Sequence, residues 1–166
     1  MLLSIRGSGI AGSGMPNTIV LINSIVTPII SMNDSEIRVI APSNLHTALP
    51  ARVTAVYNGA IVATADVAAS ASAPGLFDPA NNATNPAPRG STISLFGTGI
   101  GLGDLPVSVT LGGVTASVVL VNTATGYPGL FRIDAQVPTS IPAGSTAVVV
   151  AVGAATSQSG LQLTVN

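Results

Sequence analysis

The sequence predicts an all-β chain folded as two tandem β-sandwiches, and two observations carry that prediction. Short runs rich in Val, Ile and Thr recur at roughly ten-residue spacing, bounded by Gly, Pro and Asn, with almost no helical periodicity. The second observation is an internal repeat: Ser4-Ile5-Arg6-Gly7-Ser8-Gly9-Ile10 echoes Ser94-Leu95-Phe96-Gly97-Thr98-Gly99-Ile100. Each copy reads as an apolar strand running into a glycine turn. Self-similarity at a fixed offset divides the 166 residues into two small domains.

Each half is then near the lower size limit for a stable core. With Cys 0, neither half has disulfides, thiolate metal sites or a cysteine nucleophile, and packed Val, Ile, Leu and Ala must hold both. Charge is sparse, at 7% of residues with a net of -1. The cations, Arg6, Arg38, Arg52, Arg89 and Arg132, are scattered singly. A nucleic-acid interface needs many cations on one face, so no nucleic-acid partner is expected. Polar surface must come from Ser, Thr, Asn and Gln, a composition common in secreted bacterial β-proteins, which points to an extracellular or cell-surface location. The longest apolar stretch, Thr18 to Met32, is cut by Asn23, Thr27 and Pro28, so no membrane span is expected. Met1-Leu2-Leu3 lacks the basic region and apolar core of a signal peptide.

In order, Leu2 to Arg6 reads as a strand. The following Gly7 to Gly12 matches the dinucleotide fingerprint G-x-G-x-x-G by letter. That reading needs a helix N-terminus immediately afterwards, and Ser13-Gly14-Met15-Pro16-Asn17 starts none. The glycines are read instead as turn residues that take positive φ. Thr18 to Ile22, Ile25 to Ser31 and Ser35 to Ile40 read as strands. Ala51 to Asn58 alternates Val53, Ala55 and Tyr57 against Arg52, Thr54 and Val56. Asn58-Gly59 predicts a two-residue type I′ hairpin into Ala60 to Ala69.

The boundaries expected are a first sandwich over 1–75, a linker or leading strand over 76–91, and a second sandwich over 92–166. Gly7, Gly9, Pro16 and Leu21 match Gly97, Gly99, Pro106 and Leu111 at an offset of 90. Ile37 and Pro42 match Ile133 and Pro138 at 96, so the second copy carries an insertion around Gly126 to Gly129. Aromatics are few, at 3%, and Phe77 and Phe131 are expected to be buried.

The run Ala73-Pro74-Gly75-Leu76-Phe77, then Asn85 to Gly90, Leu95 to Gly101, Leu111-Gly112-Gly113 and Pro128 to Asp134 through Val137-Pro138, resembles the Solibacter-type uncharacterised C-terminal domain. The resemblance spans essentially the whole chain. It implies two immunoglobulin-like halves of the IPT/TIG class, in non-enzymatic secreted modules that space, anchor or adhere, and it defines no catalytic residue. In that pattern a leading strand precedes the first glycine turn, comparable to Thr84 to Thr92 before the second. Here only Met1-Leu2-Leu3 precede Ser4. The first sandwich is therefore expected to lack an edge strand, and an open edge invites another strand, either from a segment upstream of Met1 or from a neighbouring subunit. Copies of the chain are the expected partners, assembled into an oligomer or filament by strand complementation. The alternative is an adhesion module that binds a glycan or a surface protein, for which Tyr127 in the inserted loop is the candidate surface residue.

Catalytic and metal readings find little support. His46, the single histidine, lies in a loop with no G-x-S-x-G elbow elsewhere. Asp34 and Glu36 are read as solubilising residues on one solvent face rather than a glycosidase pair. Asp78, Asn81, Asn82 and Asp104 suit calcium by chemistry, but two carboxylates are thin for that ion. No enzyme activity, cofactor or metal is expected.

Overall fold

The computed structural model describes residues 1–8, 17–45, 50–79, 85–123 and 129–166. The named elements are all strands, and the chain divides into two compact units, Met1–Ala71 and Ser72–Asn166. Both are two-sheet sandwiches with Greek-key-like crossovers, so the all-β tandem architecture is what the chain adopts.

In the first unit, β1 (Leu2–Arg6), β5 (Glu36–Ile40) and β4 (Ile29–Asn33) form one sheet in the order β1-β5-β4. The facing sheet runs β3-β2-β6-β7, from β3 (Ile25–Thr27), β2 (Thr18–Ile22), β6 (Ala51–Tyr57) and β7 (Ala60–Val67). Pro28 breaks the expected Ile25-to-Ser31 strand in two. A residue without an N–H cannot continue the ladder, and the chain changes sheet there, from β2 as partner to β5. Asn58 and Gly59, with φ of 51° and 80°, make the expected hairpin turn. Asn23 and Ser24, with φ of 49° and 65°, make a second one. The core is Val20, Ile22, Ile37, Val39, Ala41, Ala51 and Val53, and buried Thr27 satisfies its hydroxyl on the Val20 carbonyl at 2.9 Å.

In the second unit, β8 (Gly75–Leu76), β9 (Thr92–Thr98), β12 (Leu130–Gln136) and the second half of β11 (Val114–Thr123) make one sheet. The first half of β11 pairs with β10 (Val107–Leu111), which pairs with β13 (Gly144–Val152). β14 (Ala155–Thr156) and β15 (Gln162–Val165) add to the same β13 edge at its two ends. β11 does in one strand what β3 and β4 do in two. Phe131, Ile93, Leu95, Leu111, Ile133, Ile141 and Leu163 fill the core.

The two units superpose by ladder position, and this corrects one offset. β2 and β10 show the same alternation, with Val20 and Ile22 buried as Val109 and Leu111 are. The offset over this strand is thus 89, not 90. Leu21 faces outward and is the counterpart of Thr110. A one-residue slip moves a strand's apolar set to the other face, so burial decides the register where letter matching does not.

Candidate functional site

In the second unit, a leading segment closes the side of the sandwich between β9 and β15. Its first part runs antiparallel to β9, with Gly75 opposite Thr98 and Leu76 opposite Gly97. Ala73 N donates to Gly99 O and Phe77 N to Phe96 O, each at 2.9 Å. The Gln158 side chain clamps Leu76 on its other side, accepting from Leu76 N at 3.0 Å and donating to Leu76 O at 2.6 Å. The second part runs parallel to β15: Ala87 N donates to Thr164 O at 2.8 Å, and Asn166 N to Ala87 O at 3.1 Å. Leu76 is 5% exposed and Ala87 fully buried.

The glycine motif is explained by this segment. Gly97 lies inside β9 without a positive φ, and a Cβ there would run into the Gly75 carbonyl oxygen and the Phe131 ring. A Cβ on Gly99 would meet the Ala73 carbonyl oxygen, and its φ is +92°. Gly99 and Gly101 fit the turn reading, whereas Gly97 is required for close backbone approach.

Among the described residues, no segment covers the same side of the first unit. Among the described residues β1 has β5 as its ladder partner and β7 has β6. Leu3 and Ile5 are only half-buried, although their counterparts Ile93 and Leu95 are 1% exposed. Val67, opposite Ala51, is 38% exposed; Leu163, at the corresponding place opposite Thr146, is 1% exposed. All of β7 is exposed, Ile61 at 68% and Val62 at 60%. β1 also stops at Arg6, whereas β9 continues through Gly97 and Thr98, the two residues that pair with β8. The charge on β7 is Asp66, which accepts from Arg52 Nε and Nη2 at 2.8 and 3.0 Å. That guanidinium holds the Asp66 carboxyl below the usual range, and the carboxylate raises Arg52 in turn. The β7 edge is therefore apolar, with its one charge paired.

On the opposite sheets, the two units carry the same ion pair with the charges exchanged. In β12, Arg132 Nε and Nη2 donate to Asp134 at 2.8 and 2.9 Å, and Ser94 Oγ donates to Asp134 Oδ1 at 2.7 Å. In β5 the carboxylate is Glu36, at the Arg132 position, and the arginine is Arg38, at the Asp134 position. Arg38 Nε donates to Glu36 Oε2 at 2.9 Å, while Glu36 Oε1, out of water, faces Arg6 Nε at a long 3.5 Å. Ser4, then Arg38 and Arg6, hold the Glu36 carboxyl below its ordinary range against the opposing pull of burial. Glu36 is thus an ion-pair residue on β5 rather than a free solubilising group, and Asp34 sits in the turn before it.

A shallow depression of about 250 Å³ lies on the outer face of β2, β6 and β7, lined by Leu21, Asn23, Ser24, Arg52, Thr54, Val56 and Ile61. Asn23 ties it together: its Oδ1 accepts from Arg52 N at 2.8 Å, and its N donates to Arg52 O at 2.9 Å. Sequence reasoning missed this patch, because it needs the pairing of β2 with β6 to bring Asn23 beside Arg52.

Tyr127, His46, Asn81 and Asn82 lie outside the described residues. Phe131 is buried as expected, but Phe77 is 46% exposed: Leu76, its neighbour in an alternating segment, takes the inward position. Asp78 and Asp104 are exposed. Among the described residues no three His, Cys, Asp or Glu side chains cluster to hold a metal, and no helix is long and apolar enough to cross a membrane.

No protein-family model matches the chain, and no curated protein matches it. Among solved structures it is similar to SGBP-B of the Bacteroides ovatus mixed-linkage glucan utilization locus, in complex with a mixed-linkage heptasaccharide. That match has 16% identity and a TM-score of 0.41, over 99% of this chain and 40% of that one. SGBP-B from a complex xyloglucan utilization locus in Bacteroides uniformis matches at 16% identity and a TM-score of 0.41, over 98% and 44%. The tandem Ig repeats of Dlar match at 15% and 0.26, over 99% and 89%. The chain spans less than half the length of either SGBP-B structure.

Proposed function

We propose that this chain is a non-catalytic structural module of an extracellular or cell-surface protein, and that it joins copies of itself by completing its first sandwich with a strand from a neighbour. One observation carries the reading: among the described residues no segment covers the side of the first unit between β1 and β7, whereas a leading segment closes the matching side of the second. An uncovered apolar edge is costly in water and pairs readily with another chain. The sparse charge and the resemblance to Solibacter-type domains support the same reading. A contact between two different surfaces repeats head to tail and builds open filaments.

The test is light scattering after size exclusion over a range of concentrations, with negative-stain microscopy of the same fractions. Concentration-dependent, open-ended oligomers are expected. A monomer at every concentration overturns self-assembly.

The depression beside Arg52 favours a second reading, a module that binds a glycan or a surface protein. Ligand sites combine apolar lining with a few convergent polar groups, and this patch offers Asn23, Ser24, Arg52 and Thr54 beside Val56 and Ile61. A glycan array with Arg52→Ala and Tyr127→Ala separates the readings: loss of binding with assembly intact selects the module that binds.

A further inference from the structure

We propose that Asn58 is a modification site of the folded chain: its side chain closes on the backbone nitrogen of Gly59, and water opens the resulting ring to aspartate or isoaspartate. The site is the tip of the β6–β7 hairpin and stands independently of strand addition.

In the first step Gly59 N, its proton taken by hydroxide, forms a bond to Asn58 Cγ. The Cγ–Nδ2 bond breaks, and the nitrogen leaves as ammonia with a proton from water. Water then adds to one of the two carbonyls of the succinimide. Opening at Cγ gives aspartate in an unchanged backbone. Opening at the backbone carbonyl leaves the chain running through the side chain, which is isoaspartate.

Asn58-Gly59 is the one Asn-Gly pair in the sequence, and a backbone nitrogen with no Cβ beside it is the least hindered nucleophile the chain can offer. Both residues are exposed, and nothing lies within 4 Å of where a Cβ on Gly59 would stand. Among the described residues neither Gly59 N nor Asn58 Nδ2 has a hydrogen-bond partner, so the attacking and the leaving nitrogen are both free. Asn17 Nδ2 donates to Asn58 Oδ1 at 2.8 Å, the atom on which negative charge develops as the ring closes. Closure needs rotation out of the tight turn. Because β7 is exposed along its whole length, the tip opens without uncovering core.

Asn23-Ser24 is a matched comparison within the same unit. It makes the same kind of turn, with φ of 49° and 65°, and its Oδ1 also accepts a hydrogen bond, from Arg52 N at 2.8 Å. There the following residue is a serine, whose Cβ crowds the attacking nitrogen, and the donor is a strand backbone rather than an exposed side chain. Asn23 is therefore expected to persist where Asn58 converts.

Either product puts a carboxylate beside Ala60, at the start of a strand whose other charge is Asp66. Isoaspartate also lengthens the backbone by a methylene, which the turn that sets Tyr57 opposite Ala60 cannot absorb without disturbing that pair.

The test is peptide mapping by mass spectrometry of the full chain held in neutral and in mildly alkaline buffer, with chromatography to separate the two acids. Conversion at Asn58 is expected, faster in the alkaline buffer, with isoaspartate the major product and Asn23 unchanged. Gly59→Ser, which copies the residue at position 24, should slow conversion by about tenfold or more. Asn58→Gln, whose closure needs a larger ring, should abolish it and serves if Gly59→Ser alters the fold by circular dichroism. A synthetic peptide of residues 54–62 sets the timescale. An unmodified Asn58 after that peptide has fully converted overturns the site, as does equal conversion at Asn23 or conversion seen only when urea unfolds the chain.

Discussion

Ser94 and Asp134 face each other across β9 and β12, with the serine hydroxyl donating to the carboxylate at 2.7 Å. In the first unit Ser4 faces Arg38 at the same ladder position, and the carboxylate has moved two residues to Glu36. The pair survives with its signs exchanged because a strand places residues i and i+2 on one face, so either order brings the two charges together.

The first prediction concerns acid. Arg132, then Ser94, holds the Asp134 carboxyl below its ordinary 3.8, against the opposing pull of burial. A lowered folded pKa means that the unfolded chain takes up the proton first as the pH falls. The stabilisation is therefore complete above the ordinary carboxyl value and is lost as the pH drops through the lower, folded one. Urea melts from about pH 6 to about pH 2 should show stability falling at the acid end, and Asp134→Asn should flatten that fall while lowering stability at neutral pH.

Gly99→Ala should destabilise the second unit by about 3 kcal/mol or more, adding positive-φ strain to a collision with the Ala73 backbone. Gly103 also has a positive φ, +84°, but open space around it. Gly103→Ala should cost about 1 kcal/mol, from strain alone. Chemical denaturation of both variants separates crowding from backbone strain.

Phe131→Ala should cost about 3–5 kcal/mol, since the ring is fully buried and lies against Gly97. Phe77→Ala, at a half-exposed ring, should cost less than about 1 kcal/mol. In Gly97→Ala a smaller residue at 131 removes one of the two collisions. The double variant Gly97→Ala with Phe131→Leu should therefore be more stable than the sum of the singles, measurable as a coupling energy in a double-mutant cycle.

These positions also mark where the sequence could be read and where it could not. The β-branched alternation in Glu36–Ile40 and Ala51–Tyr57 shows on the page because each strand has one wet and one dry face, and Asn58-Gly59 shows because its turn demands positive φ. Gly97 does not show, since a glycine that lets another backbone pass has the same letter as a glycine that turns. The outward position of Leu21 is hidden for a related reason: Leu21 and Ile22 are both apolar, and only pairing with β6 decides which one points in. The depression beside Arg52 joins residues 29 positions apart, a distance that local pattern does not cross.

The last prediction tests the edge itself. Ile61 and Val62 lie in β7, where the register shifts between Ala55 and Val56 on β6, and both side chains are largely in water. Replacing either with Lys removes no buried contact, so stability should change by no more than about 0.5 kcal/mol. A lysine on an edge strand, however, opposes pairing with a second uncharged strand, because its ammonium would have to be desolvated or splayed aside. Ile61→Lys and Val62→Lys should therefore leave the melting temperature in place and shift the chain to monomer in light scattering. Oligomers that persist unchanged in both variants would place the contact on another surface. Another apolar edge open to it among the described residues is the second half of β11, where Val119 and Leu120 are exposed.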